Sequence, residues 1–327
     1  NQYFQYNEAL ENYENGADFA KKGNGAEELL GRIYHNTGLI YYNKDQYKKA
    51  ITYHQKAFGI FTKSGNENLG MITLNSIGGN YTRLNDYKKA LEYHFLVLQL
   101  AEKLKNEQQI GFAYGNIGMV LTHLERPEKA YTYFDKAIEV HQKNNYTYGL
   151  INNYNNYGNA KDSNNDPKGA IELYEKGLKL AVKPEFESLK YDLINNLGIV
   201  NIELKNYDKA IGFLKQSSAY YKTNENDYKL AIANQHFAQA IIEAPDEILR
   251  KNSINPSEKF RIAIPLLEKS VEIFKEVESP ENVMNTKEEL AKAYEKNGDY
   301  RNALSATKDF QKLKDSLAYS ENREDAL

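Results

Sequence analysis

Apolar positions along the chain fall into short helical stretches that are cut by polar turn formers, and the stretches repeat. One phrase recurs: a large residue, two others, an apolar residue, a glycine, two others, and usually a large residue again. Tyr34-x-x-Thr37-Gly38-x-x-Tyr41 is followed by Leu74-x-x-Ile77-Gly78-x-x-Tyr81, Tyr114-x-x-Ile117-Gly118-x-x-Leu121, Tyr154-x-x-Tyr157-Gly158-x-x-Lys161 and Ile194-x-x-Leu197-Gly198-x-x-Asn201. Successive glycines lie 40 residues apart (78 minus 38, and so on). Twelve residues after each stands Ala50, Ala90, Ala130, Ala170 or Ala210, and four residues later His54, His94, Phe134, Tyr174 or Leu214. Asn85-Asp86, Arg126-Pro127 and Lys205-Asn206 separate the two marks, so each unit is predicted to be a pair of helices.

The frame continues with alanine in place of glycine at Ala238, then slips. The expected alanine arrives at Ala263, 25 residues on instead of 12, which implies about 13 inserted residues around Ala244 to Ser257. The last unit, with Ala291 and Ala303, keeps the same offset. At the front, Tyr6, Ala9, Leu10, Tyr13 and Gly16 read as a second helix without its first. The predicted organisation is therefore a partial unit over 1–24, regular units over 31–242, an insertion over 243–257, and the end of the sixth unit with the seventh over 258–311. A terminal helix over 312–327 completes it. The sequence starts at Asn1 and ends at Leu327 inside helical patterns, so it reads as an excised piece whose leader or anchor would lie out of view.

These residues resemble the tetratricopeptide repeat, whose large-x-x-apolar-Gly-x-x-Tyr…Ala-x-x-x-aromatic pattern they follow over nearly the whole chain. A period of 40 also fits HEAT or armadillo units; small residues at positions 8 and 20 favour the tetratricopeptide reading. The resemblance implies an all-α fold, a right-handed α-solenoid of about seven helix pairs with a partial N-terminal unit and a C-terminal helix. No pair buries its apolar face alone, so stability passes between neighbours.

Composition agrees with a thin, extended core: 41% of residues are hydrophobic, 27% are charged, and mean hydropathy is −0.73. The absence of cysteine excludes a disulfide scaffold, a thiolate metal site and a cysteine nucleophile. Net charge is −3, without the basic footprint of a nucleic-acid binder. No apolar run approaches the roughly 18 residues of a membrane span, so no membrane contact is expected of this stretch. The six histidines form neither His-x-x-x-His nor His-Glu-x-x-His, and no phosphate-binding loop or nucleophile elbow is present. No metal, no cofactor and no catalysis are expected.

By resemblance, positions 2, 5, 9, 12 and 13 of each first helix face a ligand groove. They place Asn75, Asn152, Asn155, Asn159, Asn195, Gln235 and Gln239 there, with Arg83 and His123 as the cationic end. Carboxamides both donate and accept, so such a row suits the N–H and C=O groups of a peptide or extended protein segment. The chain holds 37 asparagines, which weakens the signal of any one of them. Asn36, Asn116, Asn156 and Asn196 at position 6 read as packing residues, His54 and His94 as space fillers, and Tyr34, Tyr41, Tyr81, Tyr114, Tyr154, Tyr157 and Tyr294 as core.

Leu304, Phe310, Leu313, Leu317, Ser320, Glu324 and Leu327 approximate the spacing of a coiled-coil start, through which the chain would dimerise; the alternative is a helix that caps the array. Leu313-Lys-Asp-Ser-Leu317 is similar to the exit helix of bacterial sensor histidine kinases and related membrane-tethered regulators, which implies an extracytoplasmic input domain. The expected function is non-catalytic capture of a peptide or protein segment, passed on by a change in superhelical pitch to an output module. The alternative is a stand-alone adaptor that joins two proteins. The insertion is a second candidate contact site against its reading as a tolerated surface segment.

Overall fold

The computed structural model describes the backbone of residues 2–22, 26–277 and 279–325, and side chains from 8 to 317 apart from 14, 19, 21–25 and 278. All regular structure among these residues is helical. Contacts divide the chain into two compact units, residues 3–189 and 190–327. That division was not legible in the repeat frame.

The first unit opens with α1 (Gln2–Lys22), followed by the pairs α2 (Glu27–Asn43) with α3 (Tyr47–Lys63) and α4 (Glu67–Arg83) with α5 (Tyr87–Lys103). Two more pairs complete it, α6 (Glu107–His123) with α7 (Pro127–Lys143) and α8 (Thr147–Ser163) with α9 (Pro167–Leu180). From α2 to α8 every helix has 17 residues and stops at a three-residue turn. The middle residue of each turn is left-handed: Asp45, Gly65, Asn85, Lys105, Glu125, Asn145 and Asn165, twenty residues apart, with φ between 53° and 70°. This conformation lets the chain close the free carbonyls of the last helical turn, as Gln46 N–H does on Tyr41 O (2.9 Å) and Asn106 N–H on Ala101 O (2.9 Å). The next helix starts at once, and where the preceding residue is Asn66, Asp86, Asn106 or Asp166 its side chain accepts from a first-turn N–H. The 40-residue period is thus twice a 20-residue module of helix plus turn. Helix α9 is shorter, 14 residues, because Pro184 forces Lys183 into an extended conformation (φ −86°, ψ 150°); a 3₁₀ turn over Pro184–Phe186 then restores the register.

The two sequence marks meet inside each pair. His54 lies on Gly38, His94 on Gly78, Phe134 on Gly118 and Tyr174 on Gly158. A Cβ added to these glycines would fall 2.6, 2.7, 3.1 and 2.3 Å from the ring above it. Ala50, Ala90, Ala130 and Ala170 are all 0% exposed at the crossing. Helix α1 docks similarly, Gly16 facing Ile33 of α2; Tyr6, on which the partial-unit reading leans, lies outside the described side chains.

The second unit carries α10 (Glu187–Glu203) with α11 (Tyr207–Thr223), then α12 (Asp227–Glu243), the inserted α13 (Asp246–Lys251) and α14 (Lys259–Glu276). Helices α15 (Pro280–Lys296) and α16 (Tyr300–Asp325) end it. Leu214 lies on Gly198, an added Cβ being 2.6 Å away. The inserted stretch is folded onto its own unit. Leu249 is fully buried in the core, and Lys251 and Asn252 bind the Asp208 carboxylate at 2.7 and 2.9 Å. Leu313 of α16 packs against the same core and Lys287 of α15 pairs with Asp309 at 2.7 Å, so the first half of α16 covers the last pair. Leu304, part of the coiled-coil pattern, is 57% exposed; Ser320, Glu324 and Leu327 lie outside the described side chains.

A ring held on a bare helix backbone sets opposite outcomes for two glycines. Gly158→Ala forces the buried Tyr174 ring to move and is expected to destabilise by about 1–3 kcal/mol. Gly212→Ala, where a Cβ meets nothing within 4 Å, is expected to stabilise by about 0.5–1 kcal/mol through helix propensity. Thermal melts followed by circular dichroism check the two signs.

Candidate functional site

In the first unit α2, α4, α6 and α8 touch in succession. Asn75 and Asn116 bridge α4 and α6, the Asn116 amide donating to Asn75 Oδ1 at 2.8 Å. Asn152 is half-buried and donates to Tyr148 O one turn back (2.9 Å). Asn159 accepts from the Tyr174 hydroxyl (2.7 Å), which ties this face to the ring over Gly158. Asn155 is half-buried on α8 between them.

Arg83 and His123, both at position 13, sit on tyrosines 36 residues earlier in the chain. Arg83 Nε donates to the Tyr47 hydroxyl (3.0 Å) with its guanidinium over that ring, and Tyr47 donates to Asp45. The His123 ring is stacked on Tyr87 (5.3 Å, 5°), whose hydroxyl donates to Asn85 at 2.8 Å. Burial and the nearby Arg83 charge hold the His123 imidazole below its ordinary value, so it is neutral at pH 7 and Arg83 alone supplies the cation expected of the pair. The sequence signal for this latch is a tyrosine 36 residues before position 13.

In the second unit the carboxamides are more deeply committed. Asn195, expected on the ligand face, is only 7% exposed and accepts from Ser217 Oγ of α11 at 3.3 Å, so position 5 of α10 packs against α11. Gln235 donates to Glu289 (2.8 Å), whose carboxyl burial pushes up despite that bond. Gln239 donates to Glu243 (3.1 Å).

A cavity of about 380 Å³ opens between α2, α4 and α6, lined by Leu39, Asn75, Gly79, Arg83, Asn116 and Met119 among others. His54, Asn80 and His94 also line it. These three side chains are 0%, 1% and 2% exposed, and His54 Nδ1 and Nε2, Asn80 Oδ1 and His94 Nδ1 have no hydrogen-bond partner. A buried polar group left so costs about 1–3 kcal/mol. Cavities of about 620 Å³ against α3, α4 and α5 and about 580 Å³ between α14, α15 and α16 contain no such atoms in their linings. Among the described residues no helix is long and apolar enough to cross a membrane, and no cluster of three or more His, Asp or Glu is placed to hold a metal ion.

The profile of the tetratricopeptide repeat matches residues 29–103 and 109–181, where the ring-on-glycine pairs lie. With the helix pairs built on one frame, this makes the matched residues tetratricopeptide repeats. No curated protein sequence matches it. Among solved structures, a Rap protein complexed with competence and sporulation factor superposes with a TM-score of 0.67 at 16% identity, covering 95% of this chain and 80% of that one. The Rap conjugation gene regulator of a plasmid, in complex with a Phr peptide, gives 0.66 at 15% identity over 90% of this chain and 76% of that one. A signal-transduction ATPase with a tetratricopeptide repeat sensor, from Pyrococcus horikoshii, gives 0.60 at 15% identity over 94% of this chain and 49% of that one. At these identities the likeness is one of fold.

The buried histidines make the first unit acid-sensitive. Burial lowers the His54 imidazole to about 3, with His35 adding to it, and the His94 imidazole to about 4. Folded pKa values below the ordinary 6.5 mean that the unfolded chain binds more protons in between, so stability is full above about pH 6.5 and falls as pH drops toward 4. Between pH 7 and pH 5 each ring is expected to contribute a loss of about 2 kcal/mol. His54→Leu/His94→Leu, which copies Leu214 over Gly198, is expected to shrink the pH 5 to pH 7 difference in melting temperature; an unchanged difference would refute the assignment.

Proposed function

We propose that the chain is a non-catalytic scaffold that binds a peptide or extended protein segment on the first-helix face of its first unit. We also assign it the role of signal-input domain of a bacterial signal-transduction protein. The observation that carries the reading is the joining of Asn75, Asn116 and Arg83 around one open cavity on a face built by successive first helices. Side-chain amides there can exchange their mutual bond for the N–H and C=O groups of an extended segment, and Arg83 favours an acidic one. Support for peptide capture comes from the similar folds solved with the competence and sporulation factor and a Phr peptide; the sensor repeat of the Pyrococcus ATPase supports the input role. The adaptor alternative has no observation in its favour.

A peptide-display selection against the folded chain tests this. Enriched peptides are expected to lose affinity about tenfold in Asn75→Ala and in Arg83→Ala, the worth of one hydrogen bond to a charged group, and to bind Gly212→Ala unchanged. Binders indifferent to Asn75 and Arg83 would move the site off this face.

A further inference from the structure

In the second helix of a pair, the two residues that follow the side chain laid on glycine point to solvent, and the sequence keeps them polar. They are Gln55-Lys56 in α3, Asp135-Lys136 in α7, Glu175-Lys176 in α9, Lys215-Gln216 in α11 and Glu268-Lys269 in α14, all exposed. Helix α5 departs from this rule. After His94 come Phe95 and Leu96, which are 39% and 48% exposed. Phe95 meets Tyr133 of α7 edge-on (6.3 Å, 74°), and Leu96 borders the cavity of about 620 Å³ against α3, α4 and α5. An apolar pair facing water, at an address that these other helices keep polar, marks a contact surface.

The surroundings of that pair select the partner. Glu92, Leu96, Gln99 and Lys103 form one exposed stripe at spacings of 4, 3 and 4 residues, the spacing by which one helix lies along another. All four line the same cavity, together with Tyr93 and Leu100. The stripe is acidic at one end and basic at the other, eleven residues (103 minus 92) or about 16 Å apart. Lys103 binds Glu67 at 2.5 Å and its side chain is still 65% exposed, so its remaining donors face water. A second α5 can lie antiparallel on the first, about a twofold axis at the level of Val97 and Leu98. Glu92 then stands opposite Lys103, Phe95 opposite Leu100 and Leu96 opposite Gln99, each of them twice. A parallel arrangement would oppose like charges. The stripe is complementary to a copy of itself, which is what a twofold contact requires.

We propose that the chain associates with a second copy of itself through α5, the two helices antiparallel across the face that runs from Glu92 to Lys103. One helix face is small beside the roughly 1,200–2,000 Å² of stable interfaces, so the dissociation constant is expected at about 10–100 μM.

Sedimentation equilibrium of the full chain over about 1–300 μM tests this, with a monomer–dimer equilibrium as the expected result. Leu96→Lys copies Lys56, Lys136 and Lys176; it is expected to weaken the dimer at least about tenfold and to leave the melting transition of the dilute chain unchanged. The register has a signature of its own. Glu92→Lys alone and Lys103→Glu alone are each expected to weaken association about tenfold, and an equimolar mixture of the two to restore it, because every facing pair is then again of opposite charge. A monomeric mass throughout the range, a dimer indifferent to Leu96→Lys, or a mixture that stays monomeric overturns the proposal. The second of these results moves the contact to another face, such as the terminal helix.

Discussion

Everything in this protein hangs on a side chain laid flat against a glycine backbone in the neighbouring helix. His54, His94, Phe134, Tyr174 and Leu214 differ in chemistry and share one task, which is to fill the space that Gly38, Gly78, Gly118, Gly158 and Gly198 leave empty. With the fully buried alanines at the crossing, the contact brings two helices of a pair close enough for dispersion to hold them. Histidine serves there because burial keeps it neutral. It leaves ring nitrogens unpartnered against the glycine backbone where leucine would leave none.

The same close approach fixes the pitch of the module. A 17-residue helix, a left-handed residue at the turn and a prompt restart repeat every twenty residues, and nearly all the turns do this without glycine. Among the described residues only Gly65 and Gly298 supply the cheap solution; Asp45, Lys105, Glu125 and their counterparts accept the strain because the backbone bonds that close each helix end are worth more. Successive first helices then share a face in the first unit, and amides such as Asn75 and Asn116 meet across it.

Much of the polar character foreseen for a ligand face turns out to be shared with structure. Arg83 and His123 lie on Tyr47 and Tyr87, Asn159 holds the Tyr174 hydroxyl, and Asn195 is packed against Ser217. The buried His54, Asn80 and His94 differ in that they carry polar atoms bonded to nothing in the protein. Positions expected to face a ligand and positions that pack are therefore occupied by the same residue types in this array, and most of the polar groups among them have already found a partner.

The sequence by itself determined the helix pairs, their 40-residue frame, the slip before Ala263 and the packing role of His54 and His94, because glycine, alanine and ring positions are local requirements of two helices in contact. It also marked Asn75 and Arg83 as positions on the first-helix face. The tertiary structure alone decided which of those side chains remain available. Asn195 and Asn155 occupy the same repeat position, yet Asn195 is buried against Ser217 of the next helix while Asn155 is half-buried. Likewise the latch of Tyr47 to Arg83 joins residues 36 positions apart, from separate helices. A repeat frame gives each residue an address on its own helix, whereas the partner of a polar group depends on how neighbouring helices rotate and approach, which is set by packing across the whole layer.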